Sequence, residues 1–169
     1  MFDITNCRDF YLKLVAEYED FLKDPVSARV AINFALTAYH LSEWVWKEWL
    51  AADKALQAKL GFMPKEQLKE WVCRHNPLLA DMRSIANGSK HFKPENFGLT
   101  AVGNDYVEPD YVESGYFEAT SLLIITIQAT GPEWTDFRSV AEKVVFFWRE
   151  FLISYSQYRD LPAPNPSGY

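Results

Sequence analysis

Apolar residues recur at helical spacing through the first half of the chain. From Arg8 to Lys23, the positions Phe10, Leu14, Val15, Tyr18, Phe21 and Leu22 fall three or four residues apart, one stripe of an α-helix. Asn6 stands where an N-cap is needed, and Asp9 places a carboxylate in the first turn, where the helix dipole favours it. Asp24-Pro25 closes the segment, because a residue preceding proline resists the α region. Pro25 is then expected to serve as the first-turn proline of the next helix. That segment, Val26 to about Leu60, has no Gly or Pro before Gly61. Val30, Phe34, Leu41, Val45 and Trp49 mark its stripe, widened by Ile32, Ala35, Tyr39 and Trp46. At ~1.5 Å per residue an unbroken helix of this length approaches ~50 Å, so a bend or break is expected near Ala51–Asp53.

Gly61-Phe62-Met63-Pro64 reads as a turn, with Pro64 opening a third helix through Leu68, Trp71 and Val72. Asn76-Pro77 combines a cap with a first-turn proline and starts a further helix to His91, buried through Leu78, Leu79, Met82, Ile85 and Ala86. Gly88 inside this pattern costs ~1 kcal/mol relative to Ala, so it marks either a close-packing point or the approaching helix end. The period then shortens. Turn residues Gly98, Gly103, Asn104, Pro109 and Gly115 alternate with two β-rich runs, Leu99–Val102 and Tyr116–Ile127, which read as strands. After the Gly131-Pro132 turn, Thr135 or Asp136 caps a last helix to Tyr158, with the stripe Val140, Val144, Phe147, Phe151 and Tyr155. The expectation is a mainly α fold: a four- or five-helix bundle with a small antiparallel β-hairpin or meander (about residues 97–128) inserted before the last helix. Residues 1–160 form one domain, and 161–169, with three prolines, a flexible tail.

Composition agrees with one globular domain. The 169 residues are 49% hydrophobic and 24% charged, and 6 Trp, 9 Tyr and 12 Phe supply large side chains for a core. No apolar run approaches the ~18 residues of a membrane span. The N-terminus lacks a signal-peptide pattern, and two cysteines, Cys7 and Cys73, are too few for a disulfide framework. A cytoplasmic protein, without membrane attachment, is expected.

Charge is unevenly placed. The net value is −6, which disfavours indiscriminate polyanion binding. Between Pro94 and Phe137 there are eight carboxylates (Glu95, Asp105, Glu108, Asp110, Glu113, Glu118, Glu133, Asp136) and no Lys or Arg, a surface that suits a basic protein partner. From Lys69 to Lys93 the balance is +3, enough for one or two phosphates.

Several chemistries lack their motifs: there is no glycine-rich phosphate loop, G-x-S-x-G elbow, H-E-x-x-H, C-x-x-C or E-x-x-H pair. His40-Leu-Ser-Glu43 and Cys73-Arg-His75 each offer two donors without a placed third, so no metal and no cofactor are expected. The segment Met82–Phe92 is richer. On a helix, Arg83, Asn87 and His91 fall at i, i+4 and i+8 on one face, bordered by Lys90 and opposite Met82, Ile85, Ala86 and Ser89. All four polar groups can donate to an oxyanion. The bland alternative has them bonded to a neighbouring helix and to carboxylates.

An Arg, an Asn and a Lys-His pair at the end of such a helix resemble the HEPN-like superfamily of prokaryotic helical proteins, which includes ribonuclease toxins and phage-defence components. The resemblance spans roughly Arg8–Phe92 and Thr135–Tyr158. The family motif sets a His four to six residues after an Arg, often with a polar residue beside the Arg. Here Ser84 follows Arg83, but seven residues separate Arg83 from His91. The resemblance implies metal-independent RNA cleavage: His91 acts as general base on a ribose 2′-hydroxyl, while Arg83 and Lys90 stabilise charge on the phosphate. It also implies a homodimer, since sites of this family form where two subunits meet. The competing expectation is a non-catalytic protein that binds a basic partner through the acidic hairpin. A small-molecule or metal-binding bundle is the third.

Overall fold

The computed structural model describes residues 3–88, 102–103, 122–127 and 133–165, with side-chain surroundings over 3–88 and 136–165. The protein is mainly helical. Six α-helices are described: α1 (Cys7–Lys23), α2 (Ala28–Val45), α3 (Lys54–Lys59), α4 (Leu68–His75), α5 (Pro77–Gly88) and α6 (Phe137–Tyr155), with a π turn at Trp46–Leu50.

Local chemistry explains the helix starts. Asn6 accepts from the Asp9 N–H at 2.9 Å, and the Asp9 carboxylate accepts from the Thr5 N–H at 3.0 Å. That backbone bond is the first cause holding the Asp9 carboxyl below its usual range. Asp136 caps α6 by accepting from the Ser139 N–H at 2.8 Å. Asn76 accepts from the Leu78 N–H at 3.1 Å, and Pro77 opens α5, where its missing donor costs nothing.

Two prolines behave differently from expectation. Pro25 does not enter a helix. It occupies the second position of a turn closed by the Ser27 N–H on Asp24 O (3.1 Å), and Ser27 precedes α2 as its N-cap residue. Pro64 likewise sits in a turn, closed by the Glu66 N–H on Met63 O at 3.0 Å, with Lys65 at φ 65° in the third position. This is a type II arrangement in which Lys stands where Gly is the favoured residue. The helix therefore begins four residues later, at Leu68.

α2 is the central element. Ten of its 18 residues are buried, from Val30 to Val45, and it packs against α1, α4, α5 and α6. Its continuation is not a regular helix. At Trp46–Leu50 the backbone widens to a π turn, with the Ala51 N–H on Trp46 O at 3.0 Å, and the chain breaks at Ala51–Asp53 before Asp53 caps α3. The wide turn delivers Glu48 to the start of α1, where its carboxylate accepts from the Cys7 N–H at 2.5 Å. An anion at that helix N-terminus is favourably placed.

α6 closes the core with a stripe that keeps the expected Val140, Val144 and Phe151 but turns on Trp148 rather than Phe147. Phe137, Val140, Ala141, Val144, Val145, Trp148, Phe151 and Leu152 are buried, whereas Phe147 is half-buried and Tyr155 is exposed. The helix ends at Tyr155, with Ser156 as its C-cap. Trp148 sets the phase of this helix: its indole is fully buried and its Nε1–H donates to Ala38 O at 2.9 Å. Phe137 meets Phe21 (ring centroids 5.0 Å) and Phe34 (5.9 Å), joining α6 to α1 and α2.

Three short strands are described: β1 (Val102–Gly103), β2 (Leu122–Ile127) and β3 (Glu133–Asp136), in the order β1-β2-β3 with antiparallel pairing. Val102 lies opposite Leu123, and Ile127 opposite Glu133. Most of the segment expected to be β, with its acidic loop, lies outside the described residues.

The chain after α6 differs from the flexible tail that its prolines suggest. Over 158–165 it runs without regular structure but along the bundle. Leu161 and Pro164 are buried, Tyr11 donates to Pro162 O at 2.8 Å, and Arg149 Nε donates to Leu161 O at 3.0 Å. Tyr158 adds a bond to Glu48 Oε1 at 2.5 Å. Two buried apolar residues, Leu161 and Pro164, and three side-chain bonds replace the absent ladder bonds. Residues 166–169 lie outside the described part.

Candidate functional site

α5 carries the polar stripe expected to hold the chemistry. Its inner face buries Leu79, Met82, Ile85, Ala86 and Gly88. Arg83, Ser84 and Asn87 are exposed on the opposite side, so Arg83 and Asn87 share a face one turn apart. The Ser84 hydroxyl donates back to Ala80 O at 3.0 Å, a bond within the helix. Lys90 and His91, the other two members, lie outside the described residues.

Arg83 is directed at α4 and α2. Its positive charge acts on the Cys73 thiol and the Tyr39 phenol. Burial pushes both acidities down, raising the Cys73 and Tyr39 pKa, and Arg83 opposes the shift at each. Among the described residues Arg83 makes no ion pair, which leaves its charge for other uses.

The other sequence candidates are separately engaged. His40 Nδ1 lies 3.7 Å from Glu43 Oε2. His75 stacks on Trp71 (centroids 4.1 Å), with Nδ1 2.8 Å from Trp71 O. Cys73 Sγ donates to Leu79 O at 3.7 Å. Cys73 and His75 do not converge as ligands, because residues two apart project from opposite sides of a helix. No group of three His, Cys, Asp or Glu suited to a metal ion occurs among the described residues. Nor is any described helix long and apolar enough to cross a membrane.

A second feature escaped the sequence reading. A cleft of about 170 Å³, lined by Ser42, Glu43, Trp46, Lys47, Gln67 and Lys69, opens between the end of α2, the π turn and the start of α4. Its residues come from two segments about twenty positions apart, so no local pattern could announce it. The aromatic density around Trp44–Trp49 was the available hint.

No family model, no curated protein and no solved structure matches this chain.

Proposed function

We propose that the chain is a HEPN-like helical protein of a toxin or phage-defence system that cleaves RNA without a metal. In this reading a bundle of four or five helices, with a β-hairpin inserted before the last, assembles as a homodimer. The observation that supports it is the shared exposed face of Arg83 and Asn87, with the Arg83 guanidinium free of any described carboxylate. His91 removes the proton of a ribose 2′-hydroxyl, whose oxygen attacks the adjacent phosphorus to give a 2′,3′-cyclic phosphate, while the expelled 5′-oxygen takes a proton from water and leaves as a hydroxyl. Arg83, Lys90 and Asn87 hold the phosphate oxygens as their charge grows.

The test is cleavage of single-stranded RNA in excess chelator. His91→Ala is expected to lower the rate by ~10²–10⁴-fold. Arg83→Ala should cost a comparable factor, and Arg83→Lys should restore only part of it, since Lys lacks the bidentate fork. Each variant should keep the parent's melting temperature. No cleavage of any RNA by the parent would favour the second reading, an interaction protein. That reading rests on the cation-free acidic tract from Pro94 to Phe137.

A further inference from the structure

The cleft beside the π turn has a composition that sets it apart from an ordinary surface dent. Its aromatic wall is Trp46, which stacks on Phe62 (centroids 5.9 Å, planes 20° apart). Phe62 in turn stacks on Trp71 (5.5 Å, 7°), and Trp71 on His75 (4.1 Å, 25°). Trp46 is one end of a four-ring column, and Phe62 is its only described ring neighbour. A held indole of this kind offers a rigid surface for one more planar ring, at little entropic cost.

The cations lie beside that wall. Lys47 follows Trp46 in the π turn and forms no ion pair among the described residues. Lys69 reaches only a loose contact with Glu70, at 3.9 Å. Glu43, one turn before Lys47, is turned toward His40 at 3.7 Å. The Ser42 hydroxyl donates to Tyr39 O at 2.6 Å, so it can only accept from a ligand. The Gln67 N–H is taken by Glu70 Oε2 at 3.1 Å, which holds the start of α4 and with it Lys69. Two ammonium groups, one ring surface and a single carboxylate, Glu43, drawn toward His40, thus line a space of about 170 Å³. That is below the ~300–1,000 Å³ of sites for drug-sized ligands, and it suits a single ring or ring pair.

We propose that this cleft binds a small planar aromatic anion, one ring system bearing a single carboxylate or phosphate. The ring lies against Trp46, and the anionic group is shared between Lys47 and Lys69. The site is independent of the RNA-cleavage reading, because it contains none of Arg83, Asn87, Lys90 or His91.

Calorimetric titration of the full chain separates the contributions. Benzoate and phenyl phosphate test the two anionic groups, inorganic phosphate lacks the ring, and benzyl alcohol lacks the charge. At least one aromatic anion is expected to bind with a Kd of about 1 mM or tighter, at least about tenfold tighter than the ringless or uncharged probe. The better of the two tells carboxylate from phosphate. The Lys47→Gln/Lys69→Gln double variant, with an unchanged melting temperature, should lose about tenfold in affinity. If the double variant does not fold, Lys47→Gln alone carries the test, since Lys47 is exposed. Equal binding of inorganic and phenyl phosphate, wild-type affinity in the folded lysine variant, or no binding of either aromatic anion would overturn the proposal. RNA cleavage, measured in parallel, is expected to be the same for the lysine variant and the parent.

Discussion

Arg74 closes on Glu66 as a two-pronged ion pair, Nε to Oε1 at 2.9 Å and Nη2 to Oε2 at 2.8 Å. The same guanidinium donates to Gly61 O at 3.2 Å, and the Glu66 carboxylate accepts from the Met63 N–H at 2.7 Å. One planar fork therefore fastens the turn before α4 to the helix itself. The Arg74 bond is the main cause holding the Glu66 carboxyl below its ordinary 4.5.

This pair predicts an acid sensitivity with a definite sign. A carboxyl whose pKa is lowered by folding stabilises the protein above its ordinary value. That contribution disappears as pH falls through the lower, folded value. Glu66→Gln should therefore be less stable than the parent at neutral pH, and its melting temperature should fall less steeply below pH 4.5. Parallel slopes for the two proteins in thermal melts between pH 7 and 3 would refute the assignment.

Lys65 is the one described non-glycine residue with a positive φ. Replacing it by Gly removes the steric cost of the left-handed conformation, ~1–2 kcal/mol, against an added unfolded-chain entropy of ~0.4–1 kcal/mol. Lys65→Gly is expected to stabilise by roughly 0.8 kcal/mol in urea unfolding, the difference between the midpoints of those two terms. A loss of stability would show that the Lys65 side chain contributes contacts that offset its backbone strain.

Trp148 joins α6 to α2 by both packing and a hydrogen bond. Trp148→Phe leaves a partly filled space and removes the donor, so a loss of about 2–4 kcal/mol is expected from equilibrium denaturation. A loss under about 1 kcal/mol would mean that the core collapses around the smaller ring.

The strap after α6 depends on Leu161. Leu161→Ala should cost about 2 kcal/mol, the low end for a buried leucine, because an edge site relaxes more easily than the core. Faster proteolysis after residue 157 should accompany it. Unchanged protease resistance would show that the hydrogen bonds to Pro162 O and Leu161 O hold the strap without the anchor.

Arg83 and Cys73 offer a test of the α5 surface that needs no substrate. Burial raises the Cys73 pKa, while Arg83 lowers it through its charge and hydrogen bond. Arg83→Gln should therefore raise the thiol pKa further and slow alkylation near pH 8, where only the thiolate reacts. Faster alkylation would mean that Arg83 acts mainly as a steric cover.

What could be read from the sequence follows the range of the interactions. Asn6, Asp136 and Asn76-Pro77 cap helices through residues two or three positions away, and each was legible. The face shared by Arg83 and Asn87 follows from helical period alone. The break at Ala51–Asp53 was foreseen from length, but not its π geometry, which delivers Glu48 to Cys7 forty-one residues back. The course of the strap is not legible in the sequence for a similar reason. Its prolines report local stiffness, whereas its placement depends on Tyr11 and Arg149 elsewhere in the chain. Pro25 and Pro64 each fit a helix start or a turn, and neighbours one or two residues away, Ser27 and Lys65, decided for the turn. In α6 the positions Val140, Val144 and Phe151 follow from the helical period, but Trp148 and Phe147 are adjacent and equally apolar, and only the Ala38 carbonyl separates their roles.

The five-residue turn at Trp46–Leu50 makes the chain intolerant of a change that sequence length alone would hide. A regular helix advances about 100° per residue, 3.6 residues to the turn. Deleting Trp46 or Lys47 would narrow the turn to regular spacing and move Glu48 to a different place around the helix. Glu48 would then point away from both Cys7 and Tyr158, and two distant parts of the chain would lose their common tether. The extra residue works as a phase offset that aims the Glu48 carboxylate, so the residue count before Glu48 matters to the protein as well as the carboxylate itself.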